Sequence, residues 1–206
     1  MSISKTQIYN LAISALLLSK EFTDVATDTS NEVRVLNTHY DIAFESTLQD
    51  LDLDSLTTPI VLELVTTQDD KEPWKYVYKY PTNCVFLRRI VSLQITDNRS
   101  THIAKRTGLF NDQKSIFTNE LNAIADCVPK VVPFSALSPM GALAIAYKLA
   151  FLAAPLLVGK GSKRLRETIQ TDYLLAKNEA QRTDIAENFN YEPDDLRSEF
   201  VAARLE

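Results

Sequence analysis

The chain contains few residues whose type and spacing suit catalysis. Its two histidines, His39 and His102, lie far apart in the sequence. A general base needs a partner that orients it, and the sequence supplies neither histidine with one. No Gly-rich phosphate loop, GxSxG, HExxH or paired Cys/His metal spacing occurs. We therefore expect structural or surface roles for both histidines, and we predict no enzyme, no catalytic residue, no metal site and no cofactor.

The two cysteines, Cys84 and Cys127, are also far apart and form no CxxC motif. A disulfide framework is implausible for so few cysteines in a chain of this size. Unpaired cysteines in globular proteins are usually buried and behave as small apolar residues. We expect two reduced, mostly buried thiols.

Charged residues in the middle of the chain offer two further candidates. Asp50, Asp52 and Asp54 alternate with leucines, but the run has neither the glycine nor the distal glutamate of a calcium loop. We interpret it as a solvated helix end.

Arg88 and Arg89 are neighbours in a predicted strand, so their side chains point to opposite faces and cannot form one phosphate clamp. We expect one to face solvent or a partner and the other an acidic neighbour.

A basic turn is the first candidate interaction site. Lys160, Lys163, Arg164 and Arg166 surround the start of a predicted helix. Cations at a helix N-terminus oppose the helix dipole, which suggests that they serve a partner outside the subunit. The alternative is an ordinary solvated turn, with Glu167 as local compensation.

The C-terminal segment is the second candidate. Residues 186–206 contain six acids and two arginines, and account for −4 of the formal net charge of −5. A short helix starting at Asp194-Asp195 would be too short to be stable alone in water. We expect its apolar residues to dock on a neighbouring subunit or another protein, or else on the chain's own helices. The predicted docking residues are Phe189, Tyr191, Leu196, Phe200, Val201 and Leu205.

Sequence patterns of helix starts occur toward both ends of the chain, and they predict the helices on either side of the candidate residues. Ser4-x-x-Gln7 and Thr29-x-x-Glu32 match the capping box, and Ser138 before Pro139 matches a helix start. Ser162 can cap a fourth helix. Between the two helical pairs, aromatic residues alternate over 74–80 and a β-branched run follows, which predicts a small antiparallel sheet.

The predicted fold is therefore mainly α. It is an antiparallel bundle of about four helices with a small antiparallel β-sheet insertion and an extended C-terminal arm. The predicted boundaries are 1–58 for an N-terminal helical hairpin, 59–134 for the β insertion, 135–188 for a C-terminal helical hairpin and 189–206 for the arm.

Composition limits the class of protein. Of 206 residues, 45% are apolar and 24% charged, which suits a globular fold, and the acidic net charge disfavours a general nucleic-acid binder.

Residues 140–158 are long enough to span a membrane, but Lys148 near the centre would cost about 2.5–3.5 kcal/mol there. We expect a helix buried in protein, with Lys148 paired or at an edge. The N-terminus does not resemble a signal peptide, so the expected compartment is cytoplasmic.

Three segments give the chain a family resemblance over roughly Ile8 to Gln181. They are "IYNLAISALLL…TDVATDTSNEVRVLNTHYDIAFESTLQD", "EPWKYVYKYPTNCVFLRRI" and "PMGALAIAYKLAFLAAPLLVGKGSKRLRETIQTDYLLAKNEAQ". In these segments the chain resembles the tail tubular protein A family of short-tailed bacteriophages, the head-to-tail adaptor or head-completion proteins beneath the portal.

The resemblance implies a non-enzymatic virion protein of the phage neck and tail, assembled in the host cytoplasm. It implies a closed ring, dodecameric in the family, between the portal protein and the tail nozzle protein. DNA would pass transiently through the central channel during ejection, and no membrane would be involved. The C-terminal arm would engage the portal or a neighbouring subunit. Two alternatives remain open: a cytoplasmic helical binding or scaffold module, and a small hydrolase with an unrecognised site.

Overall fold

The protein is described by a computed structural model that covers residues 3–68, 72–91 and 103–188. Two helices come first, α1 (Lys5–Ala15) and α2 (Asn31–Leu51), and two follow the strands, α3 (Pro139–Leu157) and α4 (Ser162–Asn188). The strands are β1 (Thr58–Val61), β2 (Leu64–Thr67), β3 (Tyr76–Lys79), β4 (Cys84–Val91), β5 (Lys105–Phe110), β6 (Gln113–Thr118) and β7 (Ile124–Pro129). The predicted C-terminal arm, 189–206, lies outside the described residues.

The strands form two antiparallel sheets, so the prediction of a mainly α bundle with a small insertion is wrong. One sheet has the order β1-β7-β4 and the other β2-β3-β6-β5. About half of the described residues are helical, and 22% lie in strands. Helices and antiparallel sheets occupy separate parts of the chain, which is the α+β arrangement.

The strand content exceeds the prediction because several strands carry little hydrophobic signal. Strand β5 reads KRTGLF and is largely polar. It joins β6 through Asn111 and Asp112, whose φ angles are 48° and 61°. Asn and Asp tolerate this left-handed conformation, which matches the twist of a two-residue hairpin. This turn was not predicted from the sequence.

The helix starts were predicted with mixed success. Ser4 and Gln7 form the reciprocal hydrogen bonds of a capping box, and Ser138 Oγ accepts a hydrogen bond from the Gly141 amide, as predicted. The second capping box is wrong. Ser30, one residue after the predicted cap, precedes α2 without a side-chain cap, and Glu32 instead accepts a hydrogen bond from Lys20 at 2.8 Å.

Helix α3 is the centre of the helical part and packs against α1, α2 and α4. Its length and apolar composition would allow it to cross a membrane. Nine of its residues are buried, and six of these are alanines. Small side chains let neighbouring helices approach closely. These contacts are those of a core helix, in agreement with the expectation from the sequence.

A second core lies between the sheets and contains Tyr78, Ile90, Ile116 and Cys127. Strand β7 connects the two cores, because Val128 belongs to the helical core and Cys127 to the sheet core. Consecutive side chains of a strand point to opposite faces, so one strand serves both cores.

Strand β4 lies at an edge of its sheet. Lys105, the first residue of β5, crosses to this edge. Its ammonium donates to the Leu87 carbonyl at 2.7 Å and to the Arg88 carbonyl. Burial lowers the pKa of Lys105. This single side chain satisfies two carbonyls where the β4 ladder is irregular.

Candidate functional site

The predicted basic turn lies at the tip of the α3–α4 hairpin. Gly159 has φ 75°, a conformation that glycine adopts without steric cost, and a 3-10 turn over Gly159–Gly161 leads into α4. Lys160, Lys163 and Arg164 are exposed. Within the described part of the chain, none of these three forms an ion pair. We call these three residues the basic tip.

Arg166 was predicted to belong with them, but the structure separates it. Its guanidinium lies 4.2 Å from the centroid of the Phe151 ring, within the range of a cation–π contact. Its Nε is buried and has no hydrogen-bond partner among the described residues. Arg166 therefore packs α4 against α3 rather than extending the basic tip.

The six predicted docking residues of the C-terminal segment, from Phe189 to Leu205, lie outside the described residues. The last described part of α4 reaches Asn188. Residues 189–206 therefore follow directly after α4 in the sequence.

An open groove of about 990 Å³ lies between α1 and the start of α3 and was not found from the sequence. Its apolar lining includes Leu11, Leu17, Pro139 and Ala142, and Leu17 is 80% exposed. Because α1 ends at Ala15 and Leu17 has φ 57°, the backbone turns this side chain outward. We call this surface the α1–α3 groove.

Asp50 joins three helices in a polar cluster. The Tyr173 hydroxyl donates to its carboxylate at 2.6 Å, and the Lys148 ammonium lies 3.5 Å from the same oxygen. Lys148 is thus paired, one of the two outcomes expected from the sequence. Burial, followed by the hydrogen bond to Asp50, raises the pKa of Tyr173 well above its usual value. Gln181 donates to the Leu51 carbonyl at 2.9 Å, so the cluster fixes α4 against the end of α2.

The other two aspartates of the run are also structural. Asp52 and Asp54 both pair with Arg88 of β4. The backbone amide of Asp54 donates to the Asp184 carboxylate at 2.8 Å. The interpretation as a solvated helix end is confirmed, since α2 ends at Leu51 and both side chains remain 45% exposed. Their pairs with Arg88 add a connection from the end of α2 to the sheet.

Arg89, the second arginine of the pair, also contacts a carboxylate. It bonds to Asp126 of β7 at 2.5 Å. Both arginines of the pair therefore meet carboxylates, whereas the sequence analysis expected only one of them to do so.

Of the two histidines, only His39 lies within the described residues, and it supplies no catalytic geometry there. His39 lies on α2, and its Nε2 is buried without a hydrogen-bond partner among the described residues. His102 lies outside the described residues. Among residues 3–68, 72–91 and 103–188, no group of three or more His, Cys, Asp or Glu side chains could hold a metal ion.

The described residues thus define an α+β protein whose terminal helical hairpin presents an unpaired basic tip. No family model matches the chain, and no curated protein matches it.

Proposed function

We propose that this chain is a structural protein of a short-tailed phage virion. In this role it forms a ring that joins the portal protein to the tail tube or nozzle, and DNA passes through the central channel. The ring is dodecameric by the family resemblance. The basic tip is the observation that carries the proposal of a partner-binding role.

Among the described residues, nothing gives the basic tip a function inside the subunit. Lys160, Lys163 and Arg164 are exposed and form no ion pair with the described residues. Lys163 and Arg164 stand in the first turn of α4, where positive charge costs a few tenths of a kcal/mol against the helix dipole. This unfavourable interaction with the helix dipole is offset when an acidic surface of the portal or a neighbour covers the two cations.

Exposed apolar residues support contacts between copies. A closed ring needs two different surfaces on each subunit, because its contacts are head-to-tail. The α1–α3 groove supplies one such surface, with Leu17 at its rim. Helix α4 supplies another, where Leu174, Leu175 and Ile185 are 46%, 64% and 60% exposed.

The segments that carry the resemblance correspond to structural units. The first covers most of α1 and α2, the second covers β3 and most of β4, and the third covers α3 and most of α4. The acidic net charge also suits a DNA conduit, since many lysines along the wall would bind phosphates and hold the DNA.

The test combines the protein with its candidate portal protein and examines the mixture by sedimentation and electron microscopy. We expect the wild-type chain to form a ring on the portal. A triple variant, Lys160→Glu, Lys163→Glu and Arg164→Glu, is expected to lose portal or ring association and to keep its melting temperature. Arg166 stays unchanged because it packs on Phe151.

A matched control separates the tip from the net charge. Arg34, Arg106 and Lys130 are exposed and lie outside the hairpin tip, and reversing all three to Glu changes the charge equally. We expect this control to assemble. Equal loss of assembly in both triple variants, or none in either, would contradict the role of the basic tip. A small stable oligomer that ignores the portal would favour the scaffold alternative.

Deletion of residues 189–206 tests the predicted arm. We expect the truncated chain to fold, because both hydrophobic cores lie within the described residues, and to lose association with the portal or with other copies. Normal co-sedimentation of the truncated chain with the portal would count against the arm.

A further inference from the structure

A pocket of about 570 Å³ opens beside the turn between β3 and β4. Three lysines line it, Lys79, Lys114 and Lys130, together with Tyr80 and Cys84. The Lys114 ammonium lies 3.6 Å from the centroid of the Tyr80 ring. The pocket therefore combines positive charge with a thiol, and neither the sequence analysis nor the proposed function uses it.

The second cysteine lies directly behind the first. Cys84 opposes Pro129 in the β4–β7 ladder, and Cys127 is two residues earlier on β7. Residues two apart on a strand share a face, and Cys84 and Cys127 belong to the same core cluster. Cys84 is 5% exposed and borders the pocket, whereas Cys127 is fully buried. One thiol is therefore reachable from solvent, and the other is reachable only through its partner.

The surroundings favour the thiolate form of Cys84. The hydrogen bond from Cys127 lowers the pKa of Cys84 to about 7, with help from Tyr80, whose hydroxyl oxygen lies 3.6 Å from Cys84 Sγ, and from Lys114 and Lys105. Burial acts in the opposite direction and is outweighed. The pKa of Cys127 is raised, chiefly because its proton is held in the bond to Cys84. Reactive cysteines occur in such electropositive, partly accessible surroundings.

We propose that Cys84 and Cys127 form a redox-active dithiol that hydrogen peroxide converts to a disulfide. The Cys84 thiolate attacks one peroxide oxygen, the O–O bond breaks, and the products are a sulfenic acid and hydroxide, which takes up a proton as water. The Cys127 sulfur then attacks Cys84 Sγ, and the S–O bond breaks. The sulfenic oxygen leaves as water with the Cys127 proton and one solvent-exchangeable proton. Two thiols and one peroxide thus give one disulfide and two waters.

The ladder makes the two cysteines diagonal neighbours on one sheet face. The sulfurs must approach to about 2.0 Å in a disulfide, which requires the Cα atoms to lie within about 7 Å. The Cα atoms of diagonal neighbours are about 7–8 Å apart, so closing the bond requires a small shift of β4 against β7. The crosslink then joins β4 to β7 within one subunit.

The experiment treats the folded full-length chain with graded hydrogen peroxide, quenches it with an alkylating agent in denaturant, and measures intact mass. We expect a species about 2 Da lighter than the reduced chain, without alkyl groups, which dithiothreitol converts back to a doubly alkylated form. Full double alkylation after peroxide treatment, or disulfide-linked dimers as the main product, would overturn the proposal.

Substitutions assign the roles of the two cysteines. In Cys127→Ala, dimedone should trap Cys84 as a sulfenic acid. In Cys84→Ala, the buried Cys127 should react at least about tenfold more slowly than Cys84 does. Circular dichroism verifies that each variant is folded, and Cys127→Ser replaces Cys127→Ala if that variant is not. Equal reactivity of Cys127 without Cys84 would contradict the assignment.

Two lysine substitutions test whether the positive charge of the pocket activates Cys84. Lys114→Gln should slow the peroxide reaction about two- to fivefold, because it removes a cation that stabilises the thiolate. Lys75→Gln changes an exposed lysine that does not line the pocket and should leave the rate unchanged. Equal rates for both variants would show that the lysine pocket does not activate Cys84.

Discussion

Asp50 shows how one carboxylate can hold several elements together. It accepts a hydrogen bond from Tyr173, and the ammonium of Lys148 lies beside it. Lys148 also lies 4.9 Å from the centroid of the Tyr173 ring. The sequence placed a lysine in the most apolar helix without an evident reason. The structure gives the reason: the lysine compensates a carboxylate at the end of α2.

Tyr173→Phe is expected to lower the free energy of unfolding by about 1–2 kcal/mol, because a partly buried hydrogen bond to a charged group is lost. Urea unfolding followed by circular dichroism measures the change. Tyr147→Phe is the control, since Tyr147 packs against the same core and no hydrogen bond to its hydroxyl is seen among the described residues. Equal effects of the two substitutions would show that the Asp50 cluster adds little.

The buried tyrosines predict the response to alkaline pH. Burial, with a smaller effect of Asp41, raises the pKa of Tyr40 to about 12. An unfolded tyrosine ionises near pH 10, so above that pH the unfolded chain loses this proton before the folded chain does. The stability is complete below about pH 10 and falls as the pH rises toward about 12.

We expect Tyr40→Phe to flatten the decrease in the free energy of unfolding between about pH 10 and 12. The flattening is partial, because the pKa of Tyr9 is also raised by burial and acts in the same direction. Equilibrium unfolding at a series of pH values checks this. Parallel curves for the wild type and the variant would contradict it.

At the scale of elements, α3 depends on small side chains. Its six buried alanines allow α1, α2 and α4 to pack around one helix. Contacts with these three helices bury half of a segment that has the composition of a membrane span. The sequence showed that the segment is apolar, but only the packing shows which sides are covered.

Ala150→Leu is expected to lower the free energy of unfolding by about 1–3 kcal/mol, because extra methylenes enter a fully buried position. Leu156→Ala, at a position that is 63% exposed on the same helix, is the control and should change stability by less than about 0.5 kcal/mol. Thermal and urea unfolding provide the measurement. Tolerance of leucine at Ala150 would show that the helices around α3 can separate.

Local signals predicted some elements and missed others. The Ser4 and Ser138 caps were found because each depends on residues within one turn. The strand content was underestimated because β5 is polar, and its position is fixed by pairing with β6 rather than by its own pattern. The partners of Asp52 and Asp54 were missed because Arg88 and Asp184 are distant in sequence. The basic tip was located from sequence alone, but the separation of Arg166 required the Phe151 contact.

At the scale of the whole molecule, two hydrophobic cores share strand β7. Val128 faces the helices and Cys127 faces the second sheet. The Arg88 pairs with Asp52 and Asp54 add a polar connection between the sheet and the end of α2. We infer that the helical and sheet parts stabilise each other.

We therefore expect one cooperative unfolding transition. Trp74 is the only tryptophan and precedes β3, so its fluorescence reports on the sheets, while far-UV circular dichroism reports mainly on the helices. The two midpoints should coincide, as two-state unfolding requires. Arg88→Ala should lower both midpoints together, and separate midpoints in the wild type would refute the coupling.

Lys105 protects part of β4, one of the two edge strands of the three-stranded sheet. An uncovered edge strand offers free carbonyls to any other chain that can add a strand, and this is a common route to fibres. Here the carbonyls of Leu87 and Arg88 are already occupied by an ammonium from the same chain. A second copy that approached β4 would meet these two occupied carbonyls, which disfavours the addition of a strand at this position.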